Sequence, residues 1–106
     1  MKVVVLDNNF GRHKIILEII EQVLTNSTVN FYNKLSFEDI NKIDCDYFIV
    51  HKNNDEFIFI ESLNNCAYKR IFFSGGYNSI KEFPEDNSYY VPYKELFNFL
   101  NCLENG

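Results

Sequence analysis

Short apolar runs alternate with longer amphipathic segments along this chain. The first run, Lys2–Leu6, is apolar at every position after its lysine, which is typical of a strand buried on both faces of a parallel sheet. The next segment, Arg12–Asn26, carries isoleucine, valine and leucine at three- and four-residue spacing, with charged residues on the opposite side. The chain therefore opens with a predicted strand followed by a predicted amphipathic helix.

The same alternation continues to the end of the chain. Apolar or alternating runs predict five strands, over Lys2–Leu6, Thr28–Tyr32, Asp46–Val50, Arg70–Phe73 and Ser88–Val91. Helices are predicted over Arg12–Asn26, Phe37–Ile43, Asp55–Asn65, a shortened fourth segment at Ser79–Phe83, and Lys94–Leu103. Such alternation predicts an α/β fold, a three-layer doubly wound five-stranded parallel sheet with right-handed crossovers. With 106 residues and neither a linker nor a repeat, residues 1–106 are predicted to form a single domain.

Two of the predicted helices carry local signals. Ser36 precedes the second helix and an acid, Asp39, follows three residues later, which is a weaker form of the capping box. The last helix is predicted to bury Leu96, Phe97, Leu100 and Leu103.

Composition and charge favour a folded domain and disfavour one class of function. The chain is 46% hydrophobic and 17% aromatic, enough apolar surface to offset the entropy of ordering one core. Its net charge is −5, and its ten lysines and arginines are scattered, with Lys69-Arg70 as the densest cluster. Nucleic-acid binders usually carry a basic stripe, so direct nucleic-acid binding is disfavoured.

The cysteines and the hydropathy pattern exclude further classes. Cys45, Cys66 and Cys102 are odd in number and lack CxxC spacing, so they predict neither a disulfide framework nor a zinc site. Cys45 and Cys102 adjoin apolar runs and are expected to be small buried hydrophobes. No run resembles a signal peptide or approaches the ~20 apolar residues of a membrane span. A soluble, cytoplasmic protein without membrane contacts is expected.

Polar residues follow the predicted strands where each strand ends. The carboxyl ends of parallel strands meet at one edge of a sheet, and ligands of doubly wound folds bind there. The strand-end residues are Asp7-Asn8-Asn9, His51-Lys52, Ser74-Gly75-Gly76 and Pro92-Tyr93.

In length, element order and strand-end residues, the whole chain resembles a response-regulator receiver domain. This resemblance implies a flavodoxin-like strand order of 2-1-3-4-5. Receivers carry an acidic pair after the first strand and a phosphoacceptor aspartate after the third. A serine or threonine followed by a small residue ends their fourth strand, and Lys-Pro ends the fifth.

Matched residue by residue, the resemblance is partial. Asp7 fits one member of the acidic pair, and Asn8 or Asn9 stands in place of the second acid. Ser74 fits the hydroxyl position and Pro92 the proline, but Val91 replaces the lysine and His51 the phosphoacceptor.

These departures remove the chemistry of the family. Aspartyl phosphorylation needs a carboxylate nucleophile and Mg²⁺, which prefers hard oxygen ligands. Asp7 is the one obvious carboxylate left, and no lysine remains to stabilise the phosphoryl group. The sequence therefore predicts a degenerate phosphoacceptor pocket of Asp7, Asn8, His51, Ser74 and Pro92, with no catalytic residue, metal or cofactor.

Other roles for the strand-end residues remain open on the sequence alone. His51 could accept a phosphoryl group itself, or bind a soft metal with Asp7, but a histidine hydrogen-bonded to Asp7 or Ser74 is favoured. Ser74, His51 and Asp7 could form a triad, although no nucleophile-elbow motif surrounds Ser74. The glycines after Ser74 lack a phosphate-loop fingerprint, and a turn with positive φ explains them more simply.

The last third of the chain is rich in aromatic residues. Some are expected to complete the core, while tyrosines favour interfaces with one wet and one apolar side. The residues predicted for a protein-contact patch are Tyr77, Tyr90, Tyr93 and Phe99. An alternative is that these aromatics only complete a small core.

The expected function is that of a pseudo-receiver in bacterial-type signalling. It would be a phosphorylation-independent regulatory or protein-interaction module, not an enzyme, acting in trans on a separate protein. Its partner, or a second copy of the chain, would contact the last strand and last helix. The alternatives are a small-ligand or anion sensor using the pocket around Asp7, His51 and Ser74, and an enzyme that uses His51.

Overall fold

A six-stranded, mostly parallel sheet with helices on both faces organises the chain in a computed structural model that describes residues 1–106. The strands are β1 (Lys2–Leu6), β2 (Thr28–Tyr32), β3 (Tyr47–His51), β4 (Lys69–Ser74), β5 (Lys81–Phe83) and β6 (Ser88–Pro92). The helices are α1 (Phe10–Val23), α2 (Phe37–Asn41), α3 (Phe57–Glu61) and α4 (Leu96–Asn105), with 3₁₀ turns at Pro84–Asp86 and Tyr93–Glu95. The predicted α/β class is confirmed, and the arrangement is compatible with a flavodoxin-like fold.

The strand count and order differ from the prediction. The observed order is β2-β1-β3-β4-β6-β5, in which β5 pairs antiparallel with β6 at the sheet edge. The predicted fourth helix over Ser79–Phe83 is wrong, because its last three residues form β5. Pro84 follows this segment directly, so a helix over these residues would be too short to be stable. Pairing with β6 instead provides hydrogen-bond partners for the backbone on one side of β5.

Two separate cores lie on the two faces of the sheet. One buries fifteen residues, with Ile16 and Ile20 of α1 and Leu96 and Leu100 of α4 packed against the sheet. The other buries seven, and α2 and α3 contribute only Ile40 and Ile60 to it. The asymmetry follows from length, since α2 and α3 have five residues each. Because β5 replaces a helix, the second face is thinly covered beside β4 and β6.

Helix ends explain several differences from the sequence pattern. The predicted cap of α2 is confirmed, since Ser36 Oγ accepts a hydrogen bond from the Asp39 N–H at 3.1 Å. α3 is shorter than the predicted Asp55–Asn65 and ends at Glu61, where Arg70 binds the last carbonyl groups.

The buried face of α4 also differs from the prediction. The α-helix begins at Leu96 after a 3₁₀ turn, and its buried residues are Leu96, Phe99 and Leu100. Together with the partly buried Leu103, they repeat at i, i+3, i+4 and i+7, the spacing of one helical face. Phe97 lies about 100° away from Leu96 around the helix and is 39% exposed, so its predicted burial is wrong.

Candidate functional site

The predicted pocket residues do lie at one edge of the sheet. Asp7 follows β1, His51 and Ser74 end β3 and β4, and Pro92 ends β6 beside Ser74 in the strand register. Asp7, His51 and Ser74 are all buried. None of these three side chains hydrogen-bonds to another of the three, so the geometry supplies no Ser–His–Asp triad.

The Asp7 carboxylate is held by Arg12. Arg12 Nε donates to Asp7 Oδ2 and Nη2 to Oδ1, both at 2.7 Å, and the Asn9 N–H donates to Oδ1 at 3.0 Å. Asp7 is fully buried, while the Arg12 side chain retains 22% exposure. A bidentate guanidinium–carboxylate pair combines charge with two directed hydrogen bonds. The hydrogen bond to Asp7 raises the pKa of Arg12, against the opposing effect of burial.

Arg12 is the residue of this site that sequence reasoning missed. The sequence pattern predicts Arg12 only as the first residue of the first helix, whereas α1 begins at Phe10 with Asn9 as its N-cap. Arg12 therefore lies in the first turn, from which its side chain reaches back to the end of β1. A cation is unfavourable at a helix N-terminus, so an arginine there next to a strand-end aspartate is itself a signal of pairing.

Asn8 is engaged with the loop after β3. The Asn8 N–H donates to Asn54 Oδ1 at 3.0 Å, and Asn8 Nδ2 donates to the Asn53 carbonyl at 3.4 Å. The buried Asn54 in turn donates from Nδ2 to the Asn33 carbonyl at 3.1 Å. At the position expected for a second acid, Asn8 thus joins the loops that follow β1 and β3.

His51 does not bond to Asp7 or Ser74 as predicted. Its Nδ1 accepts a hydrogen bond from the Asn53 N–H at 3.2 Å, and its ring packs edge-on against Phe73 at 5.0 Å between centroids. In the neutral imidazole, an accepting Nδ1 places the proton on Nε2. Neither nitrogen then offers a free lone pair, so this arrangement does not favour a phosphoacceptor or a metal ligand. No group of three or more histidine, cysteine or acidic side chains has the geometry to hold a metal ion.

The pKa of His51 provides a test of this arrangement. Burial lowers the pKa from its ordinary value, and Arg12 lowers it further while Asp7 opposes the shift. The unfolded chain therefore binds a proton more readily, and stability present above about pH 6.5 is lost as pH falls towards the lowered folded pKa. We expect His51→Asn to reduce the fall in unfolding free energy between about pH 6.5 and 5.5, measured by urea unfolding. If the unfolding free energies of the variant and the wild type fall equally with pH, the result would contradict a buried neutral imidazole at His51.

Ser74 and the following glycines form a local turn. Ser74 Oγ accepts a hydrogen bond from the Gly76 N–H at 3.0 Å. Neither Gly75 nor Gly76 has a positive φ, so the predicted conformational reason for these glycines is wrong. A Cβ on Gly75 would meet no atom within 4 Å, which leaves that position open to solvent.

At the end of β6, the structure supplies no cation. Val91 is fully buried in the core beneath α1 and α4, where receivers would place a lysine one residue before the proline. Arg12 of α1 instead provides the positive charge beside Asp7.

The four aromatic residues predicted for a contact patch are divided between the two faces of the sheet. Tyr93 packs against Phe73 at 5.6 Å and Phe99 is buried against Tyr89, both on the α1 and α4 side. Tyr77 instead meets Tyr90 at 6.0 Å on the α3 side. Successive residues of a strand point to opposite faces, which separates Tyr89 and Tyr90. These residues therefore cannot act as one surface.

Cys45 is not placed as a reactive thiol. Cys45 and Cys66 are half-buried, and burial raises the pKa of Cys45 to about 12. A thiol held protonated in this way is a poor nucleophile. Cys102 is exposed, so its predicted burial is wrong.

Comparison with protein-family models, with curated proteins and with solved structures finds no match. The resemblance to receivers therefore stays a prediction from the strand-end residues. None of the four helices combines the length and apolar character needed to cross a membrane.

Proposed function

We propose that this chain is a pseudo-receiver, a regulatory or protein-interaction module that works without phosphorylation and without catalysis of its own. The Asp7–Arg12 pair is the observation that carries the proposal. In a phosphorylated receiver, the corresponding carboxylate binds Mg²⁺, which neutralises the transferring phosphoryl group. Here a guanidinium from the chain itself already neutralises the carboxylate.

The neighbouring residues support the same function. Asn8 is tied to the loop after β3, His51 is a neutral imidazole engaged at Nδ1, and Val91 lies in the core. Receiver chemistry would need a carboxylate, a nucleophile and a cation at these three positions. The residues at these three positions instead make contacts within the fold, so on this proposal no phosphorylation switch remains.

Exposed apolar side chains support protein contact at the last elements of the chain. Ile80 is 40% exposed next to β5 and lines a groove with Asn98 and Cys102 of α4. The outer edge of β5 is unpaired, and unpaired edges are common sites of association. We place the partner contact on this groove, whose lining includes Phe99 but not Tyr77, Tyr90 or Tyr93.

The proposal is tested by amide NMR titration with Mg²⁺ and then with beryllofluoride, a phosphoryl mimic. We expect no shifts at Asp7, His51 or Ser74, because the carboxylate that would bind the cation is occupied. Shifts clustered at these residues would show a working acceptor pocket and overturn the proposal. A dilution series of the same labelled sample separates the two kinds of partner: concentration-dependent shifts at Ile80 and Cys102 indicate a second copy, and constant shifts direct the search to another protein.

A further inference from the structure

A cleft lies between α3 and β5, on the face of the sheet where the expected fourth helix is absent. It is open to solvent and has a volume of about 620 Å³, and its lining includes Phe57, Glu61, Tyr77 and Tyr90. Cavities of roughly 300–1,000 Å³ are typical of small-molecule sites. The cleft is separate from the Asp7–Arg12 pair, so the following inference does not rest on the proposed function.

Aromatic rings in fixed relative orientation form the apolar part of the cleft. The Tyr90 ring stacks on Phe72 with centroids 5.2 Å apart. Tyr77 and Phe83 both meet Tyr90 edge-on, at 6.0 Å and 83° and at 5.8 Å and 89°. The Tyr90 hydroxyl donates to Glu61 at 2.7 Å and so holds the ring in place. Rings arranged in this way offer both face and edge contacts to a further planar ring.

The charges in the cleft favour an anion. Lys52 Nζ lies 5.2 Å from the centroid of the Tyr77 ring, and Lys81 stands opposite Tyr90 in the strand register. Both lysines line the cleft, and neither takes part in any of the three ion pairs of the structure. Glu61, the only acid in the lining, already accepts from Tyr90. Two lysines without an ion-pair partner therefore line the same cleft in a protein of net charge −5.

We propose that this cleft binds a small anion that carries a planar aromatic ring. The ring packs against Tyr77, Phe83 and Tyr90, and its phosphate or carboxylate lies near the ammonium groups of Lys52 and Lys81. The side chains of Asn78 and Ser79, which also line the cleft, provide neutral hydrogen-bonding groups at its margin. The ligand needs both the ring and the anionic group, because a ring alone would contact only the aromatic residues and an anion alone only the lysines.

The test is an amide NMR titration of the full chain with four probes. Adenosine monophosphate and indole-3-acetate carry a ring with a phosphate or a carboxylate, respectively. Adenosine has the ring alone, and ribose 5-phosphate has the anion alone. We expect at least one aromatic anion to shift the amides of Tyr77, Lys81 and Tyr90, and the two incomplete probes to leave them unchanged. Binding of adenosine monophosphate indicates a phosphate ligand, and binding of indole-3-acetate indicates a carboxylate ligand.

Variants make the test specific to the cleft. Lys52→Gln and Lys81→Gln should each weaken binding about tenfold, as expected for loss of one charged hydrogen bond. Lys14→Gln, on the exposed side of α1, changes the net charge equally and should leave binding unchanged. Tyr77→Leu should weaken binding while the chain stays folded, as checked by its thermal midpoint. The proposal is overturned if neither aromatic anion binds, if ribose 5-phosphate binds equally, or if Lys14→Gln weakens binding as much as Lys52→Gln.

The outcomes of this titration are independent of the Mg²⁺ and beryllofluoride experiment. Binding in the cleft shifts Tyr77 and Lys81, whereas a working acceptor pocket shifts Asp7 and His51. Shifts by an aromatic anion at Asp7 and His51 without any at Tyr77 and Lys81 would place the ligand at the strand ends and refute the cleft.

Discussion

Arg12→Ala is expected to lower the free energy of unfolding by about 3 kcal/mol, the lower end of the range for breaking a buried ion pair. The Asp7 carboxylate is fully buried, and the substitution removes both 2.7 Å hydrogen bonds that compensate for its lost hydration. The lower end applies because the Arg12 side chain is itself 22% exposed, so that solvent already screens part of the interaction. Urea unfolding at neutral pH, followed by circular dichroism, measures the loss.

Two further variants separate geometry from charge at this site. Arg12→Lys keeps the charge, but a single ammonium cannot make both parallel hydrogen bonds, so a loss of about 1–2 kcal/mol is expected. Lys14→Ala removes a cation from the exposed side of the same helix and should change stability by less than about 0.5 kcal/mol. If Arg12→Ala behaves like Lys14→Ala, the pair contributes nothing and Asp7 is free for another role.

The central strands could be predicted from sequence because of how they are buried. β1, β3 and β4 lie inside the sheet, so their central positions are covered on both faces and form continuous apolar runs, with polar residues only at the strand ends. A short, continuous apolar run of this kind is typical of a central strand of a parallel sheet. The parallel pairing then places Asp7, His51 and Ser74 at one edge, which the sequence pattern also predicts.

β5 could not be predicted in this way. Lys81–Phe83 contains two charged residues and one aromatic, all exposed, and it forms a strand only because β6 offers a pairing edge. β5 therefore depends on tertiary contacts and not on its own sequence, and the same holds for the cleft that it borders. The interaction of Arg12 with Asp7 similarly depends on where α1 begins, and helix boundaries are the least certain part of a sequence pattern.

The strand ends connect the two sites in the structure. Lys52 follows His51 directly, and Tyr77 follows the turn that Ser74 and Gly76 form. Residues that follow β3 and β4 therefore line the cleft, while Asp7, which follows β1, is paired with Arg12. At this edge of the sheet, the Asp7–Arg12 pair therefore stabilises the fold, whereas Lys52 has no ion-pair partner.

In the sequence Arg70 forms the densest basic cluster together with Lys69, yet in the structure it is 2% exposed. Its Nη1 donates to the carbonyls of Ile60 at 2.9 Å and Leu63 at 3.0 Å, and Nη2 donates to the Asp86 carbonyl at 2.7 Å. The guanidinium thereby binds the C-terminal end of α3 and the turn after β5. Glu61 at the end of α3 and Phe83 just before this turn both line the cleft.

Arg70→Met is expected to lower the free energy of unfolding by about 3–4 kcal/mol, because buried carbonyls lose their charged donor while the apolar stem is kept. Lys69→Met is the matched control: Lys69 is half-buried with its Nζ 5.5 Å from the Tyr47 ring, and a loss below about 1 kcal/mol is expected. Urea unfolding measures both variants.

Hydrogen exchange locates the effect of the Arg70 substitution. In Arg70→Met, the amides of Ile60 and Asn87 should exchange faster relative to those of β1, because the first is in α3 and the second closes the Pro84–Asp86 turn. Equal losses in Arg70→Met and Lys69→Met would contradict the role of the guanidinium. Faster exchange spread evenly over the whole sheet would instead assign Arg70 to global stability, with no special part in holding the two sides of the cleft together.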